Sequence, residues 1–273
     1  MKKTRRRLLG QHFLHNRGVL EKIVRAVAPG KDDLVVEIGP GRGALTFPLA
    51  ERAGRVVALE RDGRLVPALR ERAPANLEVV EADALRVSFR DLLARHRAAR
   101  GRAKLAGNLP YAISSPLLFK ILEDPGLFSL CVFLLQKEFA LRLCAAAGSK
   151  LFAPLSILVQ NHFEARILFT VSPASFSPPP RVDSALVRME RRPSPLLAPG
   201  DEDAFRRYLR DAFRQRRKTL WNNLDASGAR STALEAAFAA LGCDPRIRAE
   251  ALPAEGHHRL FRSLGGAADG RRP

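Results

Sequence analysis

The feature that most constrains this chain is the alternation of short β-rich runs with helical patterns between residues 20 and 140. The strand candidates are, in order, LVVEIG, RVVALE, LEVVEAD, AKLAGN and LCVFLLQ, and segments rich in alanine, leucine and arginine separate them. Parallel strands need such crossover segments, whereas antiparallel neighbours can be joined by a tight turn. The alternation therefore predicts βαβ units and a mostly parallel sheet covered by helices on both faces.

Two later runs, EARILFTV and SALVRMERR, break this rhythm because only the proline-rich segment SPASFSPPPRVD lies between them. A connection without a helix favours an antiparallel pair at one edge of the sheet. Beyond a proline-rich linker the composition changes to alanine, arginine and leucine at helical spacing. We predict a basic N-terminal segment (1–20), an α/β domain (21–190), a linker (191–200), a small helical domain (201–265) and a tail (266–273).

The charge of the chain indicates a polyanionic partner. Its 46 lysines and arginines exceed its 28 aspartates and glutamates by 18, and nucleic acid is the leading candidate for such a partner. Some of the arginines could instead pair with neighbouring acids such as Asp201 and Asp211. Trp221, which follows the second basic region, is expected to pack inside the helical domain. The two basic regions are residues 2–7 and a helical run formed by Arg206, Arg207, Arg210, Arg214, Arg216, Arg217 and Lys218.

Cysteine and histidine usage argues against a disulfide framework and against a metal site. Cys131, Cys144 and Cys243 are widely spaced and form no C-x-x-C pair, which is typical of buried thiols in a reducing compartment. The adjacent His257 and His258 lie in a polar stretch and are expected to be exposed rather than to bind metal. The longest apolar run is too short to span a bilayer, and the N-terminus lacks a signal-peptide core. We therefore predict a cytoplasmic protein.

A glycine loop follows the first strand candidate and indicates a nucleotide pocket. Gly39, Gly41 and Gly43 alternate before a helical pattern, where glycine lets the backbone approach a ligand closely. Glu60 and Asp83 end the next two strands. There Glu60 could accept hydrogen bonds from the ribose hydroxyls of an adenosine, and Asp83 could accept one from its adenine amino group. Alternatively, both are ordinary solvated loop acids. The loop also fits a permissive dinucleotide fingerprint, so NAD and S-adenosylmethionine (SAM) both remain open.

The stretch GNLPYAISSP ends the fourth strand with an amide, a proline and a tyrosine. Pro110 ends the strand and forces Leu109 into an extended conformation, which fixes the direction of the Leu109 carbonyl. This carbonyl and the Asn108 side-chain oxygen could accept both hydrogens of an exocyclic amino group on a base, while Tyr111 stacks on the ring. Such an arrangement favours methyl transfer from a sulfonium to the amine. The plain alternative is an Asn-x-Pro turn with a half-buried tyrosine.

These segments resemble a known family. In order and spacing, they closely resemble segments of the KsgA/RsmA small-subunit rRNA adenine dimethyltransferases, which include the eukaryotic Dim1 proteins. The segments are EIGPGRGALT, GNLPYAISSPLL, FLLQKEFALRL, FSPPPRVDSALV and AFRQRRKTLWNNL. The resemblance covers residues 9–264, nearly the whole chain. It implies a class I SAM-dependent methyltransferase with a Rossmann-like sheet and a small all-α C-terminal domain.

The resemblance also implies a reaction and a set of site residues. The enzyme would dimethylate two adjacent adenosines near the 3′ end of 16S rRNA within the immature 30S subunit. With the sequence features described above, we expect a cytoplasmic monomer that binds neither a membrane nor a metal ion. The cofactor-binding residues would be His12, Leu14, Gly39, Gly41, Glu60, Asp83 and Asn108. The catalytic residues would be Asn108, Leu109, Pro110, Tyr111 and Phe176, and the RNA-binding residues Arg214, Arg216, Arg217 and Lys218.

Several alternatives remain open at this point. Phe176 could anchor the proline-rich loop in the core instead of stacking on the target base, and His12 could contact SAM through its backbone alone. A related resistance-type enzyme methylates large-subunit rRNA, although the QRRKT segment argues against that reading. Mitochondrial transcription factors resemble these enzymes yet act by binding nucleic acid. A nicotinamide oxidoreductase would leave N-L-P-Y unexplained.

Overall fold

The computed structural model describes residues 11–96, 102–197, 200–229 and 231–265. The predicted basic cluster at residues 2–7 and the predicted tail at 266–273 lie outside the described residues. The chain divides into two compact units: an α/β unit (residues 1–140 and 164–191) and a helical unit (residues 141–163 and 192–273). The range 141–163 differs from the predicted division. It groups with the helical unit because Phe152 and Ile157 are buried in the core of that unit.

The strands form one large sheet and one short ribbon. They are β1 (Phe13–Leu14), β2 (Leu34–Ile38), β3 (Arg55–Glu60), β4 (Leu77–Glu81), β5 (Ala103–Asn108), β6 (Phe128–Gln136), β7 (Phe163–Val171), β8 (Phe176–Ser177) and β9 (Ser184–Arg191). The sheet has the order β4-β3-β2-β5-β6-β9-β7. Its first five strands are parallel, and β9 runs antiparallel to β6. The predicted mostly parallel sheet is confirmed, and the two later runs, β7 and β9, are neighbours at one edge as predicted.

Helices follow most strands of the sheet. In the α/β unit they are α1 (Arg17–Val27), α2 (Thr46–Ala50), α3 (Val66–Glu71), α4 (Phe89–Arg95) and α5 (Tyr111–Ile121), and α6 (Lys137–Leu143) begins directly after β6. Every residue of β2 is buried. Because successive strand residues point to opposite faces, the centre of the sheet is covered on both sides, as the alternation predicts.

Gly107 lets the ends of β2 and β5 approach each other. A Cβ atom at this position would lie 2.6 Å from the Ile38 carbonyl oxygen, which is closer than real contacts allow. The absence of a side chain therefore brings the segment after Gly107 beside the loop after Ile38. The glycine loop and the N-L-P-Y stretch meet at this edge of the sheet.

The ribbon of β1 and β8 ties the N-terminal segment to the proline-rich loop. Phe13 pairs with Ser177 and Leu14 with Phe176 in antiparallel register. The His15 amide extends the pairing by donating to the Ser175 carbonyl at 3.0 Å. Leu14 and Phe176 also belong to the hydrophobic core of the α/β unit, so the ribbon is anchored by apolar burial as well as by hydrogen bonds.

The helical unit has a hydrophobic core of its own. It contains α7 (Pro154–His162), α8 (Glu202–Ala212), α9 (Leu220–Asp225), α10 (Ser231–Leu241) and α11 (Ala254–Ser263). Phe205 stacks on Tyr208 and on His258, with ring centroids 5.7 and 4.5 Å apart. Trp221 packs edge-on against Phe238 at 5.1 Å, which is the packing role expected for it.

The expectation that His257 and His258 are exposed is wrong. They lie on the inner face of α11 and are 0% and 2% exposed. His257 is compatible with burial because Nδ1 and Nε2 lie 2.9 Å from the Tyr208 hydroxyl and the Ala249 carbonyl oxygen, respectively. The described residues contain no cluster of ligands suited to a metal ion. In the same part of the chain, no helix is long and apolar enough to cross a membrane.

Burial of the two histidines predicts acid sensitivity. Desolvation lowers the pKa of each to about 4, so the folded state keeps both neutral where the unfolded chain binds protons. Their contribution is present above the ordinary value near 6.5 and is lost as the pH falls from about 6.5 to about 4. The free energy of unfolding of the full chain, measured with urea, should therefore fall by on the order of 3 kcal/mol per imidazole as the pH decreases over this window. His258→Leu should reduce the loss, whereas the exposed His15→Gln should not. A free energy of unfolding that is constant over the window would contradict this account.

Candidate active site

One cavity of about 490 Å³ opens at the carboxyl ends of the parallel strands, beside the β1–β8 ribbon. Ligands of open parallel sheets bind at this edge. Every predicted cofactor-binding and catalytic residue lines the cavity: His12, Leu14, Gly39, Gly41, Glu60, Asp83, Asn108, Leu109, Pro110, Tyr111 and Phe176. The four predicted RNA-binding residues belong to the helical unit and are not among the lining residues.

The glycine loop is held against the end of β3. The Gly39 amide donates to the Leu59 carbonyl, and the Gly41 amide donates to Glu60 Oε2, both at 2.9 Å. Gly41 has a φ of +60°, and a Cβ atom there would lie 3.0 Å from the Phe13 ring. Position 41 therefore needs glycine both for its conformation and for the close approach of the ribbon.

Glu60 is a buried carboxylate rather than a solvated loop acid. It is 4% exposed, and its Oε1 accepts a hydrogen bond from the Asp62 amide at 2.8 Å. Burial raises its pKa, and the amides of Asp62 and Gly41 oppose that rise. Two backbone donors use only part of its capacity, since an ionised carboxylate offers about four acceptor sites. The remaining sites can accept hydrogen bonds from the two hydroxyl groups of a ribose.

Asp83 follows β4 and is held in a fixed orientation. Its Oδ1 accepts from the Leu85 amide at 3.0 Å, and its Oδ2 lies 3.6 Å from Nε of Arg61. The side chain is 22% exposed, so it is partly accessible from the cavity that it lines. A carboxylate in this position can accept from the amino group of an adenine.

The Asn108 amide is oriented by the N-terminal segment. Its Nδ2 donates to the His12 carbonyl oxygen at 2.8 Å. Because a carbonyl only accepts, this contact fixes which end of the amide faces His12. The other end, Oδ1, has no partner among the described residues and is available to a ligand. His12 therefore contributes its backbone to the site, while its imidazole Nδ1 contacts the Pro178 carbonyl at 2.7 Å.

The next two residues place a second acceptor beside the first. The Leu109 amide donates to the Leu134 carbonyl at 3.2 Å, which continues the pairing of β5 with β6 by one residue. Pro110 is the N-cap residue of α5, and its carbonyl accepts from the Ile113 amide and the Ser114 hydroxyl. Within the described chain, the Leu109 carbonyl receives no hydrogen bond. The segment thus offers two acceptors, one from a side chain and one from the backbone.

Two aromatic rings complete the cavity wall. Tyr111 is half-buried, and its hydroxyl lies 3.1 Å from Ser184 Oγ. Its ring centroid lies 6.3 Å from that of His12. Phe176 is 4% exposed and packs in the core, which fits the anchoring alternative, yet it also lines the cavity. Sequence reasoning missed Ser184, although it lies in the quoted segment FSPPPRVDSALV.

Glu37 is a further lining residue that sequence reasoning missed. Its carboxyl group is 1% exposed, and its Oε2 has no hydrogen-bond partner among the described residues. Burial raises the pKa of Glu37 to about 8, with a smaller contribution from Glu60, while the Thr46 hydroxyl opposes the rise. The available signal was a glutamate inside the apolar run LVVEIG. A buried carboxyl oxygen without a partner is consistent with a site that a polar ligand completes.

The residues around the cavity fit SAM. The glycine loop can approach the ligand closely, Glu60 and Asp83 can bind an adenosine, and Glu37 Oε2 can accept a hydrogen bond from an amino group. Asn108 and Leu109 line the same cavity. The fold and these residues define a class I SAM-dependent methyltransferase.

Comparison with known proteins identifies the family. Residues 2–265 match the family model described as "Ribosomal RNA adenine dimethylase", and the chain belongs to this family. "Ribosomal RNA small subunit methyltransferase A" of Geobacter metallireducens is 44% identical, with 95% of each chain covered. The protein of the same name from Nitrosococcus oceani is also 44% identical, over 94% of this chain and 95% of its own.

Two solved structures support the same assignment. A dimethyladenosine transferase from Plasmodium falciparum superposes with a TM-score of 0.76 at 29% identity, covering 93% of this chain and 98% of that one. The 23S rRNA methyltransferase ErmE gives a TM-score of 0.75 at 28% identity, covering 93% and 99%. The chain is therefore a SAM-dependent rRNA adenine methyltransferase, and the nicotinamide alternative is excluded.

Loss of the Glu60 charge should weaken cofactor binding. Glu60→Gln replaces a charged acceptor with a neutral amide and should raise the dissociation constant of S-adenosylhomocysteine about 10- to 100-fold by calorimetry. Glu81→Gln is the matched control, because Glu81 is an exposed glutamate at the end of the neighbouring strand. Equal affinities for the two variants would rule out the ribose-binding role.

Proposed function

We propose that this enzyme dimethylates the 6-amino groups of two adjacent adenosines near the 3′ end of 16S rRNA. The substrate would be the immature 30S subunit, and the enzyme would act as a cytoplasmic monomer. The observation that carries the chemical part is the pair of acceptors at Asn108 and Leu109 in the cavity wall, to which none of the described residues donates. The choice of RNA rests on the named relatives.

Two acceptors are what an exocyclic amine requires. The nitrogen lone pair of adenine is delocalised into the ring, so the amine is a poor nucleophile. Hydrogen bonds from its two hydrogens to Asn108 Oδ1 and the Leu109 carbonyl favour the pyramidal geometry that localises this lone pair. When bound, SAM supplies an electrophilic methyl group on a sulfonium. The alkylated amine is cationic and loses its proton readily, so the site needs an amide rather than a strong base.

The aromatic walls support a role in holding the target base. The Tyr111 ring is partly accessible from the cavity and is proposed to stack on the adenine, contributing about 1–3 kcal/mol. Phe176 is proposed for the opposite face, although its burial leaves it less ring surface to offer. A paired base cannot reach such a cavity, so the target adenosines are expected to be unpaired or flipped out.

The segment between α8 and α9 is proposed to contact RNA phosphates. Arg214, Arg216, Arg217 and Lys218 are all exposed there. Some of the basic residues around this segment also serve the helical unit itself, since Arg210 lies 3.7 Å from Asp211 and Arg216 donates to the Lys150 carbonyl. In the described chain, Arg217 and Lys218 have no acidic partner, which makes them the best candidates for phosphate contact.

The substrate assignment is tested by comparing two RNAs. Undermethylated small subunits and free large-subunit rRNA are incubated with labelled SAM, and dimethyladenosine is mapped in the products. We expect label only in the small-subunit RNA, at two adjacent adenosines near its 3′ end. Asn108→Ala should abolish labelling, because an acceptor in the site is lost.

Two outcomes would reject parts of this proposal. Label confined to large-subunit rRNA would favour the resistance-type alternative, which ErmE represents among the similar structures. Full biological activity of Asn108→Ala in cells would favour a protein that acts by binding RNA.

Removal of two exposed charges should change the salt dependence of binding. Arg217→Gln combined with Lys218→Gln should weaken binding to small subunits and reduce the slope of log affinity against log salt by about 1.5 to 2, because each phosphate contact releases a counterion. Arg246→Gln serves as control, since this arginine is exposed but lies 3.4 Å from Asp244. An unchanged slope in the double variant would remove these residues from the RNA interface.

A further inference from the structure

We infer that Ser184 is a positioning residue that orients the Tyr111 ring for the target base. The inference rests on the proposed function, in which that ring stacks on an adenine. The two hydroxyl oxygens lie 3.1 Å apart, and both residues line the cavity. Ser184 itself is 2% exposed, so its hydroxyl is buried and fixed.

The surrounding elements hold Ser184 rigidly. It begins β9 and pairs with Gln136, the last residue of β6, in the antiparallel ladder. Strand β6 is also the parallel neighbour of β5, whose last residue, Asn108, pairs with Leu134. Strand β6 thus lies between β9 and β5. Because both strands pair with the end of β6, the start of β9 lies near the segment that leads from Asn108 to Tyr111.

Tyr111 needs such an anchor because of its place in the chain. It is the first residue of α5, where no preceding turn of helix restricts its side chain, and it is only half-buried. Its hydroxyl contacts the Ser184 hydroxyl, and its ring is tilted by 33° to the ring of His12 at a centroid distance of 6.3 Å. A hydrogen bond at the phenol oxygen fixes the far end of the ring and leaves its face toward the cavity. Stacking depends on that orientation, since small displacements of a bound reactant are costly in rate.

The test is a double-mutant cycle on the full-length enzyme with Ser184→Ala and Tyr111→Phe. The phenylalanine keeps the ring and removes only the hydroxyl. If each hydroxyl acts through the other, each single variant lowers kcat by the same factor, about 3- to 10-fold, and the double variant is no slower than either. The dissociation constant of S-adenosylhomocysteine should stay at the wild-type value in all three. Ser129→Ala removes a hydroxyl that contacts the Ala103 carbonyl at the other end of β6, and it should leave kcat unchanged.

Three results would overturn the inference: wild-type kcat in Tyr111→Phe, wild-type kcat in Ser184→Ala, or losses that multiply in the double variant. Tyr111→Phe alters a half-buried side chain, so its result remains decisive even if Ser184→Ala unfolds. Wild-type enzyme is measured first on small subunits and on large-subunit rRNA. If only the latter is methylated, the proposed substrate is wrong, and the cycle is run on that RNA and still tests Ser184.

Discussion

The hydrogen bond from the Asn108 amide to the His12 carbonyl is the contact on which the site depends. It joins the end of β5 to a segment 96 residues earlier in the chain. By engaging the nitrogen of the amide, it leaves the oxygen to a ligand. An asparagine in an unconstrained turn could present either end, and the same sequence would then offer a donor where the chemistry needs an acceptor.

That contact requires the N-terminal segment to be in place, and the β1–β8 ribbon provides this. Leu14 and Phe176 are paired across the ribbon and buried in the same core, so the hydrophobic effect and the backbone ladder fix the position of His12 together. The His12 imidazole contact with the Pro178 carbonyl adds a third point of attachment. Phe176 can anchor the ribbon and border the cavity at once, so its two roles do not exclude each other.

Local patterns were sufficient to predict the sheet, since short apolar runs mark the strands and the length of the segments between them indicates crossover helices. They also sufficed to place the glycine loop, the terminal acids and N-L-P-Y at one edge, because these follow successive parallel strands, whereas His12, Leu14 and Phe176 came from the family resemblance. Local patterns failed where packing between distant segments determines whether a side chain is buried and which residues it contacts. The exposure of His257 and His258 was predicted wrongly because the groups that they contact come from other elements: Tyr208 and the Ala249 carbonyl for His257, and the Phe205 ring for His258. Ser184 was missed because its contact with Tyr111 spans 73 residues.

The most direct test of the account is a crystal structure of the enzyme with S-adenosylhomocysteine and a short RNA that carries the target adenosine. The account predicts that the adenine N6 atom lies within hydrogen-bond distance, about 3.2 Å or less, of both Asn108 Oδ1 and the Leu109 carbonyl oxygen. It also predicts that the Tyr111 ring stacks on the base and that Asn108 Nδ2 still donates its hydrogen bond to the His12 carbonyl. An amino group directed at other residues, or an Asn108 amide turned so that its nitrogen faces the base, would contradict it.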